Sequence, residues 1–195
     1  NGQVSTVAGD SRGFHEGKGG DALFDTPCGL AILPDGSLLV ADTGNRRLRR
    51  IDLDGNVTTV AGTGEPDSTD GFPLQAKFVK PTSIEVAENG AVFVTDGNSL
   101  RAIGSRIFPF GETISGTRRG LSDGNLRKSQ FNRPSGIAFD ANGNLFVADS
   151  ENQLIRVMTG ENQGRKIQPE EIAKLRYTAE EFRNLQPARW TYNPP

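Results

Sequence analysis

Along the chain, apolar residues fall in short runs of strand length, each closed by turn formers. Gly29 to Leu33 is one such run. Pro34-Asp35-Gly36 then turns the chain, because proline presets φ and glycine accepts positive φ. Ser37 to Asp42 predicts a second strand, Leu48 to Leu53 a third, Asp54-Gly55-Asn56 a hairpin turn, and Val57 to Ala61 a fourth. The pattern then returns: Pro27-Cys28-Gly29-Leu30-Ala31 recurs as Pro81-Thr82-Ser83-Ile84-Glu85 and as Pro134-Ser135-Gly136-Ile137-Ala138, at offsets of 54 and 53 residues. The same offsets relate Gly36, Gly90 and Gly143, then Asp42, Asp96 and Asp149, and upstream Phe24, Phe78 and Phe131.

Four antiparallel strands per copy make one propeller blade. The expected fold is therefore all-β: a partial β-propeller of about three four-stranded blades over residues 1–160, followed by a separate helical tail and linker over residues 161–195. In the tail, Pro169 precedes Glu170-Glu171, Thr178 and Glu181 have capping-box spacing, and Ile172, Leu175, Ala179, Phe182 and Leu185 form an amphipathic stripe that Pro187 ends. At the other end, Val4-Ser5-Thr6-Val7-Ala8-Gly9 matches Val57-Thr58-Thr59-Val60-Ala61-Gly62, a fourth strand without its first three, while the third copy has no clear fourth strand after Val157. Rings typically have about 4 to 8 blades, so three blades read as half of a six-bladed ring, completed by further blades or by a second chain. Closure of such a ring expects Gly2 to Gly9 to pair as an outer strand beside the blade containing Gly136 to Val157, in this chain or a partner. It also expects Leu30, Ile84 and Ile137 to be buried between blades and Cys28 to pack in an inner strand.

Composition narrows the partners. With 24 Gly, 11 Pro and 34% apolar residues, the chain is too apolar for disorder and too rich in glycine for a helical bundle. A formal net charge of −2 gives no global field for nucleic acid or an anionic membrane, so nucleic acid is not the expected partner. A single cysteine excludes an internal disulfide framework, and no run of 18 apolar residues predicts a membrane span.

The Pro-x-Gly-Ile-Ala, Gly-Asn-Leu-x-Val-Ala-Asp and Asn-x-x-Leu series resembles the NHL repeat family. The naming motif reads Asn45-Arg46-Arg47-Leu48, Asn98-Ser99-Leu100 and Asn152-Gln153-Leu154, without the histidine, and the second copy is two residues shorter in this turn. The repeat here is also longer than the family's usual period. The excess lies in the loops Gly62 to Lys80 and Gly116 to Arg133 and in the related segment Gly9 to Thr26, each with an acidic-glycine pair: Glu16-Gly17, Asp70-Gly71 and Asp123-Gly124. These loops are expected on the same face as the Asn45, Asn98 and Asn152 turns. Loops of this length in compact domains are usually functional or disordered.

The resemblance implies three classes of function. The leading one is a non-catalytic interaction or scaffold module, binding a protein or glycan through the long loops in the periplasm or outside the cell. That placement follows the likeness of the segment Trp190 to Pro195 to linkers in bacterial envelope proteins. The second is a metal-dependent lyase or lactonase, whose relatives gather several His or carboxylate ligands around a central metal. His15, the one histidine, cannot supply that set, so it reads as a surface loop residue and no cofactor is expected. The third is single-stranded RNA binding through a basic face. Asp42, Asp96 and Asp149, recurring in every copy, read as caps of their own turns through backbone N–H bonds. Arg49, Arg50, Arg101 and Arg156 read as a solvated strand face. The expected partner-binding residues are Arg46, Arg47, Arg118, Arg119, Arg127 and Lys128, cations in the turns and in the loop most free to vary.

Overall fold

The computed structural model describes residues 2–87, 90–103 and 111–159. Three antiparallel sheets follow one another along the chain. Blade 1 consists of β2 (Pro27–Ile32), β3 (Leu38–Asp42), β4 (Arg47–Ile51) and β5 (Asn56–Ala61), with the two-residue β1 (Gly17–Lys18) added at the edge of β5. Blade 2 consists of β6 (Pro81–Val86), β7 (Val92–Asp96), β8 (Ser99–Ile103) and β9 (Glu112–Ser115), and blade 3 of β10 (Pro134–Phe139), β11 (Leu145–Asp149) and β12 (Leu154–Met158). Asx turns fix the hairpins: the Asp52 carboxylate accepts the backbone N–H groups of Asp54 and Asn56, and the Asp140 carboxylate those of Asn142 and Asn144. The expected helical tail lies outside the described residues.

Strand alternation sends one row of side chains from each blade into the next. Leu39, Ala41, Leu48 and Ala61 of blade 1 meet Phe78, Ile84, Val92, Val94 and Ile103 in one cluster. Leu100, Phe93 and Ile114 of blade 2 meet Phe131, Ile137, Phe139, Leu145 and Val147 in another, with Phe93 and Phe139 edge to face at 5.3 Å. Near the inner strands the blades approach closely: the Ser83 hydroxyl accepts the Ile137 N–H, and a side chain at Gly29 would strike the carbonyl oxygen of Thr82. The buried Thr43 hydroxyl donates to the Pro81 carbonyl at 2.6 Å, tying blade 1 to the start of β6.

Three expectations are not met among the described residues, all of them at the two open ends of the stack. Ile84 is 3% exposed and Ile137 half-buried, but Leu30 is 64% exposed, since no blade among the described residues covers that face of β2. Cys28 lies in the inner strand as expected, yet it is exposed, its thiol directed to the Thr26 carbonyl. Residues 2–8 form no strand, and Val4 and Val7 are exposed. Among the described residues this segment joins no blade: Ala8 packs with Phe24 and Leu38 against blade 1, and blade 2 separates that anchor from blade 3.

Candidate interaction face

Each blade is locked to the loop before it by an arginine, buried in blades 1 and 2 and half-buried in blade 3. Residues on β4, β8 and β12 that face the loop include Arg49, Arg101 and Arg156, opposite Val40, Val94 and Val147 in the register. Arg49 and Arg101 are fully buried. Arg101 donates to Asp96 at 3.2 Å, to the Thr69 carbonyl at 2.9 Å, to the Asp70 carboxylate at 3.1 Å and to the Lys77 carbonyl, with its guanidinium 4.7 Å from the centre of the Phe78 ring. Arg156 repeats the arrangement with Asp149, Asp123 and the carbonyls of Ser122 and Gln130 over Phe131, and Arg49 with Asp42 and the carbonyls of His15 and Leu23 near Phe24. The arginines are therefore not a solvated strand face. A guanidinium can satisfy several loop carbonyls at once, and the paired carboxylate offsets the cost of burying its charge.

The aspartates act structurally, but across a longer span than expected. Their Oδ1 atoms accept the backbone N–H of Asp25, Lys80 and Asn132 at 2.6–2.8 Å, each 16 or 17 residues upstream rather than in the aspartate's own turn. Asn45 and Asn152 complete the joint by donating both to the local aspartate and to the Gly13 and Gly120 carbonyls. Burial pushes the Asp96 carboxyl above its ordinary value of 3.8, outweighing the Lys80 N–H and Arg101.

The loops fold back on themselves. Gly62 and Gly116 open them at φ 96° and 78°, and a Cβ at Gly116 would stand 2.3 Å from the Asn98 carbonyl oxygen, so the close turn onto Phe131 needs glycine. As expected, the Asn turns share this face: Asn45 bonds to Gly13, Asn98 accepts the Arg133 N–H, and Asn152 bonds to Gly120. The acidic-glycine pairs extend the sheets, Gly17 opposite Val57 and Gly71 opposite Gly111, while Glu16 and Asp70 accept the N–H groups of Thr59 and Thr113.

Of the six expected partner-binding residues, Arg47 is committed inside the chain. It stacks 3.9 Å from the centre of the Phe14 ring and donates to the Asn45 and Thr63 carbonyls. Arg46 is half-buried in the turn at φ 53°. Arg118, Arg119, Arg127 and Lys128 are exposed and make no ion pair among the described residues. The neighbouring acidic loop does not neutralise them, since Glu65 pairs with Lys77 at 2.5 Å, Asp67 takes the Thr69 hydroxyl and Asp70 is held by Arg101. Leu121 and Leu126 lie exposed in the same cationic loop. No group of three or more His, Cys, Asp or Glu able to hold a metal occurs among the described residues, and no helix among them is long and apolar enough to cross a membrane.

The NHL repeat model matches residues 131–158, from Phe131 under its arginine to the end of β12. The chain belongs to the NHL repeat family. The other two copies follow from the shared clamp and the recurring offsets. NHL repeat-containing protein 2 of Gallus gallus is 28% identical over 193 residues, covering 82% of this NHL chain and 26% of the relative. A probable peptidyl-alpha-hydroxyglycine alpha-amidating lyase of Caenorhabditis elegans is 32% identical over 155 residues, covering 77% of this chain and 42% of the relative. Among solved structures, a structural genomics protein from Bacteroides thetaiotaomicron superposes with a TM-score of 0.62 at 24% identity, over 66% of this chain and 34% of that one, which shows the shared fold. The NHL chain thus spans less than half the length of these relatives.

Sequence reasoning missed the arginine clamp. Its signal was present in the recurrence of Arg in the third strand after each Phe, on the row that faces buried valines. The shortened second turn hid it by shifting Arg101 to five residues after Asp96, where Arg49 and Arg156 stand seven after Asp42 and Asp149.

Proposed function

We propose that this NHL chain is a non-catalytic binding module that captures an acidic protein segment or acidic glycan on the loop face. One observation carries the reading: Arg118, Arg119, Arg127 and Lys128 project from a loop pinned by the Arg156 clamp and have no anionic partner among the described residues. A fixed loop on a rigid sheet loses little entropy on binding, and exposed Leu121 and Leu126 add apolar contact beside the charges. The scaffold role and a site outside the cytoplasm belong to the same proposal. Retention of the protein on immobilised polyglutamate and on an acidic polysaccharide tests it. Binding should weaken with salt and drop sharply for the Arg118→Ser, Arg119→Ser double variant at unchanged melting temperature. Equal retention of variant and wild type removes the loop from the site.

A lyase reading draws on the likeness to the Caenorhabditis elegans enzyme. It requires metal ligands beyond those described, and metal analysis of the complete protein tests it: stoichiometric Ca or Zn supports the enzyme, and its absence sinks it.

A further inference from the structure

The loops before blades 1 and 3 are built alike where they run into their blades. Arg12 bridges to Phe24 and Arg119 to Phe131, both in parallel register. The Gly13 N–H meets the Phe24 carbonyl at 2.9 Å and the Gly120 N–H the Phe131 carbonyl at 3.0 Å, and Thr26 and Arg133 both hold left-handed backbone, at φ 51° and 49°. In the first loop the charges at this corner are matched. The Arg12 guanidinium grips Asp25 with two nitrogens, Nε to Oδ1 at 3.0 Å and Nη2 to Oδ2 at 3.2 Å. That grip, helped by the Thr26 hydroxyl, holds the Asp25 carboxyl below its ordinary 3.8. A two-pronged donor of this kind fits a planar carboxylate.

In the third loop the cation stays and the acid is gone. Asn132 stands at the place of Asp25, and Arg119 is exposed, its guanidinium in neither ion pair nor hydrogen bond among the described residues. The second loop lacks both members, with Val79 at the place of Asp25 and no cation between Gly62 and Asp70. The pair is thus present in one loop, absent from another, and halved in the third.

Glu151 does not replace the missing acid. It stands at the place of Gly44, where a Cβ would overlap the Asp25 carboxyl group. Its own Cβ therefore closes that rotamer to residue 132, and Asn132 Oδ1 is buried without a hydrogen-bond partner. The Glu151 carboxylate turns to Arg133, 3.8 Å away. This corner of blade 3 also has its neighbour in place, since the Arg133 N–H donates to Asn98 of blade 2.

From these observations we infer that Arg119 holds a carboxylate of a bound peptide, an Asp or Glu side chain, in the two-pronged way that Arg12 holds Asp25. The inference rests on the binding role proposed above and names its anchor and the group it takes. Exposed Leu121 and Leu126 in the same loop favour a peptide over a glycan, because aliphatic side chains beside the acid can cover them and a sugar acid carries none. Arg118 has no such template, for Ser11 stands at its place in the first loop.

Fluorescence anisotropy of a labelled Glu-Glu-Leu repeat peptide, titrated with the whole chain, tests this through changes that leave the net charge unaltered. Asn132→Asp with Glu151→Gly gives blade 3 the Asp25 and Gly44 arrangement, so that Arg119 is occupied from within. Arg119→Lys keeps the charge and removes the two-pronged donor. Each should raise Kd about fivefold, the loss of one exposed charge pair, at unchanged melting temperature, while Arg118→Lys leaves Kd as it is. Binding by the wild type that the Asn132 and Glu151 exchange does not weaken, or an equal loss for Arg118→Lys and Arg119→Lys, overturns the assignment of Arg119. Weakened binding of polygalacturonate with none of the peptide overturns the choice of a peptide. Failure of the wild type to bind the peptide, polyglutamate or polygalacturonate overturns the binding role itself, and this inference with it.

Discussion

Replacing Arg101 by alanine tests whether the clamp holds loop and blade together. The side chain is fully buried and donates to Asp96, Asp70 and the carbonyls of Thr69 and Lys77. Its loss leaves the Asp96 carboxylate buried without its partner, which costs about 3 to 5 kcal/mol. At least one loop carbonyl then stays dry and unsatisfied, adding about 1 kcal/mol or more. The expected total is roughly 4 to 6 kcal/mol, a large part of the 5 to 15 kcal/mol that ordinary domains possess. Urea unfolding followed by circular dichroism measures it, and a second substitution separates charge from packing. In Arg101→Met with Asp96→Asn the uncompensated carboxylate is gone, so the double variant should be more stable than Arg101→Ala. Acid gives a further check. The Asp96 carboxyl titrates above 3.8 through burial, so its contribution is fully present below that value and is lost as pH rises through the raised one. Without Arg101 it should titrate higher still, and the deficit of Arg101→Ala should shrink as pH falls from neutral through that raised value. A loss below about 1 kcal/mol, or a deficit that does not change with pH, would refute the clamp.

Gly116→Ala should cost more than Gly55→Ala in thermal melts: both hold positive φ, worth about 1 kcal/mol or more, but only at Gly116 does the new Cβ meet a carbonyl oxygen at 2.3 Å. Equal costs would mean that the loop entry yields freely. The bonds from Asn144 hold the Asp140 carboxyl below its ordinary 3.8, so it stabilises the fold above that pH and loses this as pH falls through its lowered value; Asp140→Asn should flatten the acid limb of a stability profile. For residues 1–195, Ile84→Asp should cost about 3 kcal/mol or more, while Leu30→Asp leaves the melting temperature nearly unchanged, since among the described residues Ile84 is covered by a neighbouring blade and Leu30 is not.

The strands were legible because strand periodicity and turn chemistry are local. Pro34-Asp35-Gly36 and Asp54-Gly55-Asn56 lie between strands as expected, and the predicted limits agree with β2 to β5 within about two residues. Leu30 and Cys28 could not be placed from their own sequence, since their exposure depends on whether a blade precedes β2. Arg49 and Arg101 misled for another reason. Charge on alternate positions normally marks a solvent face, and only the carbonyls of loops about 24 to 34 residues away in sequence reverse that rule. The exposed cations of the 116–133 loop were visible as charges. That Arg47 is stacked on Phe14, while Arg118 and Arg119 are not neutralised by Glu65, Asp67 or Asp70, required coordinates.

The clamp also sets where the chain can be cut and rejoined. By strand pairing, a module would run from Pro27 to Ala61, yet the guanidinium of each module grips the loop that comes before it. The portable unit therefore starts at the glycine that opens the loop, so that excising Gly62 to Ser115 removes a loop together with its own arginine and leaves Ala61 joined to Gly116. Excision from Pro81 to Arg133 instead removes Arg101 and sets the 62–80 loop before Arg156, a guanidinium that holds a different loop. Duplication or loss of blades at the first kind of junction keeps every loop with its own arginine, so that loop and blade travel together.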